Sequence, residues 1–216
     1  MQKTNQDERR NKMKHIFKKG KNTDLPTLLL LHGTGGDERD LLPLAEMIAP
    51  DASVLSVKGN VDENGMARFF ARLREGVFNE EDLVYRTKEL KEFIDESAVK
   101  YEFDRKNVVA IGYSNGANIA ASLMYHEKHS LRGGILFHAM VPRRGVTLPE
   151  LSDSPVFIGA GKRDSLIPMS ETQELIKNLN DANAPVTEFW TDGGHELRRE
   201  EVGAAKEWFD NNFSNE

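Results

Sequence analysis

Short apolar runs alternate along this chain with stretches whose apolar residues recur every three or four positions. The runs near 14–18, 26–32, 52–57, 107–111, 133–139, 155–160 and 185–191 predict strands. Asn107-Val108-Val109-Ala110-Ile111 is continuous and β-branched, as a strand buried on both faces should be. Helical periodicity falls near 39–48, 83–100, 115–126, 169–180 and 196–211. In the second of these, Leu83, Leu90, Phe93, Ile94, Ser97 and Ala98 share one stripe; in the last, Leu197, Val202, Ala205, Trp208 and Phe209 do. Strand–helix alternation of this kind predicts an α/β fold. Its mostly parallel sheet of about seven strands would carry helices on both faces, joined by right-handed crossovers. One long stretch, 59–82, shows neither period, though it carries Met66, Phe69, Phe70, Phe78, Arg68, Arg72 and Arg74. Two readings of it stand side by side: a functional insertion over the site, or a surface helix with an aromatic face on the core.

Composition narrows the class. A chain of 216 residues can bury one substantial core, and 38% hydrophobic with 30% charged residues describes a globular protein. We therefore expect one domain over 13–216, preceded by a solvated tail over 1–12 that includes Asp7-Glu8-Arg9-Arg10-Asn11-Lys12. A net charge of −6 argues against nucleic acid as a partner, because phosphate binding needs clustered Lys and Arg. Apolar runs such as Leu28-Leu29-Leu30-Leu31 are too short to span a bilayer, the first fifteen residues lack the apolar core of a signal peptide, and no stable membrane association is expected. The absence of cysteine removes disulfides, thiolate metal sites and a cysteine nucleophile, and fits a cytoplasmic location.

The chemistry begins at Gly112-Tyr113-Ser114-Asn115-Gly116, a G-x-S-x-G pentapeptide between the apolar strand and a helix of small residues. By itself the pattern is weak, arising by chance in roughly one 200-residue chain in fifteen. A sharp strand-to-helix turn is different: it exposes a serine hydroxyl, and it needs glycines beside it so that neighbouring chain can pass. A serine becomes a nucleophile only with a base, and the base needs an orienting carboxylate. His195, on Asp192-Gly193-Gly194-His195 after a strand, is the first candidate base, with His138 at the end of the 133–139 strand as its rival. Asp164, after the 155–160 strand, is the candidate orienter. Ser170-Glu171-Thr172-Gln173 reads as a capping box for the next helix, which leaves Asp164 free. Asp153 precedes its strand, and Asp192 lies too near His195 in sequence to approach it from below.

The loop Leu31-His32-Gly33-Thr34-Gly35-Gly36-Asp37 completes the set. Its glycines let backbone N–H groups approach a developing oxyanion, and the amides of Thr34 and Asn115 are the expected donors. Read alone, the loop could cradle a phosphate, but it lacks the endings of the phosphate-binding motifs. His32 is expected to brace the loop, His126 and His129 to be solvated, and His15 to have no partner.

In this order these pieces resemble the carboxylesterase/phospholipase branch of the α/β hydrolases, which includes the acyl-protein thioesterases. The resemblance covers about 24–212 and rests on His32-Gly33-Thr34-Gly35-Gly36-Asp37, Gly112-Tyr113-Ser114-Asn115-Gly116, Asp164-Ser165-Leu166-Ile167-Pro168 and Gly194-His195. It implies Ser114 as nucleophile, His195 as base, Asp164 as orienter, Thr34 and Asn115 as oxyanion hole, and no cofactor or metal. Asn115-Gly116-Ala117 stands where the thioesterases show Gln-Gly-Gly, and His138 where they tend to have a small residue. Residues 65–70 look more like bacterial carboxylesterases associated with hydroquinone and aromatic stress. Dienelactone hydrolases are similar as well, but with cysteine at the position of Ser114. The expectation is a serine esterase for small or aromatic carboxylic esters. Thioesterase or lysophospholipase activity on the same triad is the alternative, and a non-catalytic ligand-binding homologue is a further one. The expected pocket is Met66, Phe69, Phe70, Met140 and Ile167, with Arg68 or Arg72 on a polar group. An exposed Phe/Met surface near 66–78 would suit a homodimer.

Overall fold

A computed structural model describes residues 13–214; the tail expected over 1–12 lies outside the described residues. The strands are β1 (His15–Lys18), β2 (Thr27–Leu31), β3 (Val54–Val57), β4 (Val61–Glu63), β5 (Met66–Arg68), β6 (Arg72–Arg74), β7 (Val77–Phe78), β8 (Val108–Tyr113), β9 (Gly133–Phe137), β10 (Val156–Gly161) and β11 (Val186–Thr191). The helices are α1 (Leu42–Ile48), α2 (Glu80–Tyr101), α3 (Asn115–His126), α4 (Met169–Asp181) and α5 (Arg199–Phe209), with a closing π-helical turn at Asp210–Ser214. Seven strands make one sheet in the order β1-β3-β2-β8-β9-β10-β11. Only β1 runs antiparallel to its neighbour.

The continuous apolar runs follow from cover on both faces. Along β2, Leu28 and Leu30 enter a core with α1 and α5, while Leu29 and Leu31 enter a core with α2, α3 and α4. In β8, Val109 and Ile111 join the first core, and Val108 and Ala110 the second. All four leucines are fully buried, and each contributes about 1.5–3 kcal/mol by leaving water. Truncating one of them to alanine should cost about 2–5 kcal/mol. The small residues of α3 are buried along nearly its whole length, so it lies close against the sheet and α2. Thr87 of α2 and Ser122 of α3 meet there through their hydroxyls at 2.7 Å, which satisfies two polar groups inside the packed layer.

Three sequence expectations change. Residues 59–82 form no helix until α2 begins at Glu80; they form two hairpins, β4–β5 and β6–β7. Asn64 (φ +53°) and Gly65 (φ +83°) make the tight first turn, the Asn-Gly pairing that such turns favour. The capping box does not form, because α4 starts at Met169 and Ser170 lies inside it. The Glu171 side chain instead accepts from the Val141 N–H at 3.2 Å and pairs with Arg144. His15 does have partners: its ring nitrogens lie 2.7 Å from the Met13 carbonyl and 2.7 Å from the Tyr101 hydroxyl.

Candidate active site

Ser114, Asp164, His195 and the Thr34 loop reach one edge of the sheet because parallel strands deliver their following loops to the same end. Ser114 follows β8 with φ +52° and ψ −114°, a conformation rarely tolerated by a residue with a Cβ. Its N–H is held by the Phe137 carbonyl at 2.9 Å, and α3 starts at the next residue. A Cβ on Gly116 would lie 1.9 Å from the Leu31 carbonyl oxygen, so only glycine lets α3 approach β2 this closely. The strain at Ser114 is thus held by packing on both sides.

His195 and Asp164 arrive on the loops after β11 and β10. His195 Nε2 lies 2.9 Å from Ser114 Oγ, and its Nδ1 lies 2.7 Å from Asp164 Oδ2. Asp164 Oδ1 accepts from the Leu166 and Ile167 N–H groups at 2.8 and 2.9 Å, so one carboxylate both shapes its loop and faces His195. Burial opposes its charge, but the hydrogen bonds from His195, Ile167, His138 and Leu166 outweigh burial and hold its pKa below the usual carboxylate value. Tyr113 steadies the histidine loop by donating to the His195 carbonyl at 2.6 Å. Burial, with Asp164, Glu201 and Glu196 nearby, pushes that phenol up to about 12, so it stays a donor.

His138 does not reach Ser114 as a rival base. It is fully buried behind Asp164, with Nδ1 3.0 Å from Asp164 Oδ2 and Nε2 3.2 Å from Glu201 Oε1. Asp192 points outward to Lys162. His138, Asp164 and His195 are the one group among the described residues whose ligand atoms could hold a metal ion, but there both imidazoles already bond the shared Oδ2.

The loop after β2 is clamped by the first hairpin. Gly35 donates to the Ala67 carbonyl at 2.9 Å, and Arg68 donates to Thr34 Oγ1 at 2.6 Å. Asn115 Oδ1 accepts from the Phe69 N–H at 2.7 Å, which ties the elbow to the same segment. His32 braces the loop from below, accepting from the Gly59 N–H at 2.9 Å; burial lowers its pKa against the Gly33 carbonyl and nearby Asp40 and Asp37, so the neutral ring is the accepting form. Asn115 is the first residue of α3, so its N–H is one of those a helix leaves without an internal acceptor.

This sequence matches the phospholipase/carboxylesterase family over residues 12–212. The chain belongs to that family. It is 56% identical to the protein named "Putative hydrolase MhqD" of Bacillus subtilis, over 91% of this chain and 98% of that one. It is similar to the Bacillus cereus carboxylesterase, at 59% identity and a TM-score of 0.92, covering 93% of this chain and 95% of that structure. YahD, solved with malic acid, is 34% identical with a TM-score of 0.87, covering 93% and 100% of the two chains. The fold is that of the α/β hydrolases, and the protein is a hydrolase of the carboxylesterase type.

In this phospholipase/carboxylesterase family member, Ser114 and His195 open into a cleft of about 370 Å³. Met66, Arg68, Arg72, Met140 and Ile167 line it, as the sequence led us to expect, together with Thr34 and Asn115. Phe69 and Phe70 do not. Both are fully buried in the α2–α4 core, Phe69 against His32 and Phe70 edge-on to Phe78 at 4.9 Å. The chain leaves β5 at Arg68 and dives beneath the hairpin, carrying both rings inward. Arg68 is only 3% exposed, and its guanidinium serves Thr34, the Phe70 carbonyl and Glu63. Sequence reading missed Phe78, Leu166, Glu75, Gly76, Tyr113 and Asn118, which complete the lining. Leu166 sits inside the quoted Asp164–Pro168 motif and Phe78 inside the aromatic-rich insert, so both signals were present. Among the described residues no helix is long and apolar enough to cross a membrane.

Proposed function

We propose that this protein hydrolyses small or aromatic carboxylic esters through an acyl-serine intermediate, with Ser114 as nucleophile, His195 as base and Asp164 as its orienter. The observation that carries this reading is the continuous relay from Ser114 Oγ to His195 Nε2 at 2.9 Å and from His195 Nδ1 to Asp164 Oδ2 at 2.7 Å. His195 takes the hydroxyl proton as Oγ bonds to the ester carbon. The carbonyl oxygen becomes an oxyanion facing the Thr34 and Asn115 amides, each such donor being worth roughly 10²–10³ in rate. Collapse breaks the carbon–oxygen bond of the alcohol, which leaves with the proton from His195. Water, deprotonated by the same imidazole, then attacks the acyl-serine and releases the acid and Ser114.

The substrate class rests on the cleft walls. Met66, Phe78, Met140, Leu166 and Ile167 offer apolar surface beside the serine, with Arg72 and Glu75 adding charge. Such walls suit a short acyl chain or a ring, and the name of the Bacillus cereus relative, a carboxylesterase, agrees. The reading needs no cofactor, and the cysteine-free chain suits a reducing, cytoplasmic setting.

Ser114→Ala should lower kcat on p-nitrophenyl butyrate on the order of 10⁶-fold, by analogy with another serine hydrolase, and abolish fluorophosphonate labelling. An active, folded Ser114→Ala protein would refute the assignment. Palmitoyl-CoA and a lysolipid in the same assay separate esterase from thioesterase and lysophospholipase action.

A further inference from the structure

Behind the relay lies a second histidine whose surroundings are as closely built as those of the first. His138 follows β9 in the left-handed region, φ +54°, its N–H held by the Gly159 carbonyl at 2.8 Å. This backbone turn directs the imidazole into a fully buried gap between Asp164 and Glu201 of α5. Glu201 reaches it only because residue 159 is glycine: a Cβ there would stand 2.3 Å from Glu201 Oε1. Each ring nitrogen of His138 therefore faces a carboxylate, Nδ1 bonding Asp164 Oδ2 at 3.0 Å and Nε2 bonding Glu201 Oε2 at 3.4 Å, with Oε1 3.2 Å away. A neutral imidazole has one N–H and one lone pair, and its lone pair would then point at an anion. With both nitrogens protonated, each contact becomes a charge-assisted hydrogen bond, and the buried trio carries one net negative charge rather than two.

We propose that His138, held as an imidazolium by Glu201, is a positioning residue: it fixes the Asp164 carboxylate from behind and sets a positive charge beside the base. The inference rests on the Ser114–His195–Asp164 reading. The His138 and His195 rings lie 5.3 Å apart and share Oδ2, so a charge on the first acts at short range on the second. Burial works against a charged His138, yet hydrogen bonding and attraction from Glu201 and then Asp164 outweigh it and raise its pKa. The other groups facing this ring are Tyr113 from β8, its ring 5.9 Å away, and His195 itself. Glu201 also accepts from the Arg198 N–H at 3.3 Å, which anchors the carboxylate at the start of α5.

The test is the pH profile of kcat/KM for the wild type, Glu201→Gln and His138→Gln, with fluorophosphonate labelling of each. Glu201→Gln keeps the shape and removes the countercharge. We expect the acidic limb to move upward by about half a pH unit or more, because the opposing charge beside the base is gone. Kcat should fall roughly 10- to 100-fold through a loosened Asp164, while KM stays within about twofold. A folded Glu201→Gln protein whose acidic limb stays at the wild-type position overturns the proposal. Should both variants fail to fold, ¹⁵N shifts of the wild-type imidazoles decide it: His138 protonated on both nitrogens at pH 7 supports the proposal, and a neutral ring overturns it. Unlabelled wild type would sink the underlying triad reading instead, so the two failures are distinct.

Discussion

Asp164 divides the site into two halves that use the same chemical parts to opposite ends. In front, His195 is partly exposed, lines the cleft and has Nε2 free for Ser114. Behind, His138 has no exposure and gives both nitrogens to carboxylates. An imidazole that must shuttle a proton needs one open nitrogen and a path to substrate; one that must hold a charge needs two acceptors and no water. Identity of residue therefore says little about role. Partners and burial decide it.

Asp164→Asn breaks both halves at once and should have the largest effect of the changes that spare the nucleophile. Kcat is expected to fall on the order of 10⁴-fold, because the amide cannot hold the His195 tautomer; a loss below tenfold would show that Asp164 is not the orienter. Gly159→Ala strikes the rear half alone. Its Cβ would sit 2.3 Å from Glu201 Oε1 and 2.8 Å from Phe137 Cδ1, and unfolding in urea should report a loss of about 1–3 kcal/mol. Arg68→Gln tests the front. Freeing the Thr34 loop should lower kcat about tenfold without moving the acidic limb, since the oxyanion donor proposed there loses its support. A limb displaced as far as in Glu201→Gln would erase the distinction between the halves.

A smaller effect concerns stability and pH. The His138 pKa is raised on folding, so its stabilisation is complete below the unfolded value and fades as pH climbs through the folded one. The stability gap between wild type and His138→Gln should accordingly be larger near pH 6 than near pH 9, read from urea melts. Asp164, with its pKa lowered, acts in the opposite sense: its contribution is present above the unfolded value and vanishes as pH falls through the folded one. Smallest of all, Leu166→Ala should raise KM for a butyrate ester about threefold or less while sparing kcat, because Leu166 is 45% exposed at the cleft.

Much of this was legible in the chain. Among the described residues, all seven sheet strands and all five α-helices lie within a few residues of the positions that periodicity predicts, because a run buried on both faces or a single apolar stripe is a local property. That Ser114, His195 and Asp164 would meet was legible because a sharp strand-to-helix turn and two strand-end loops have fixed places in a parallel sheet. The hairpin at 61–68 was also within reach, since Asn64-Gly65 is the pairing that tight hairpin turns favour. Phe69 and Phe70 were misplaced since nothing local distinguishes an aromatic residue facing a cleft from one turned beneath it. Met66 and Phe78 from the same insert do face the cleft.

By itself, then, the sequence determined the layered α/β architecture, the strand-to-helix turn at Ser114 and the chemical types available around it, all of which depend on short-range pattern and steric need. Only the tertiary structure decided that Arg68 supports Thr34 rather than meeting solvent, and that His138 backs Asp164 against Glu201 rather than competing for Ser114. Those roles join residues 34 and 26 positions apart, and then 63 apart. A charge or a hydrogen bond acts through distance in space, and the chain alone does not record that distance.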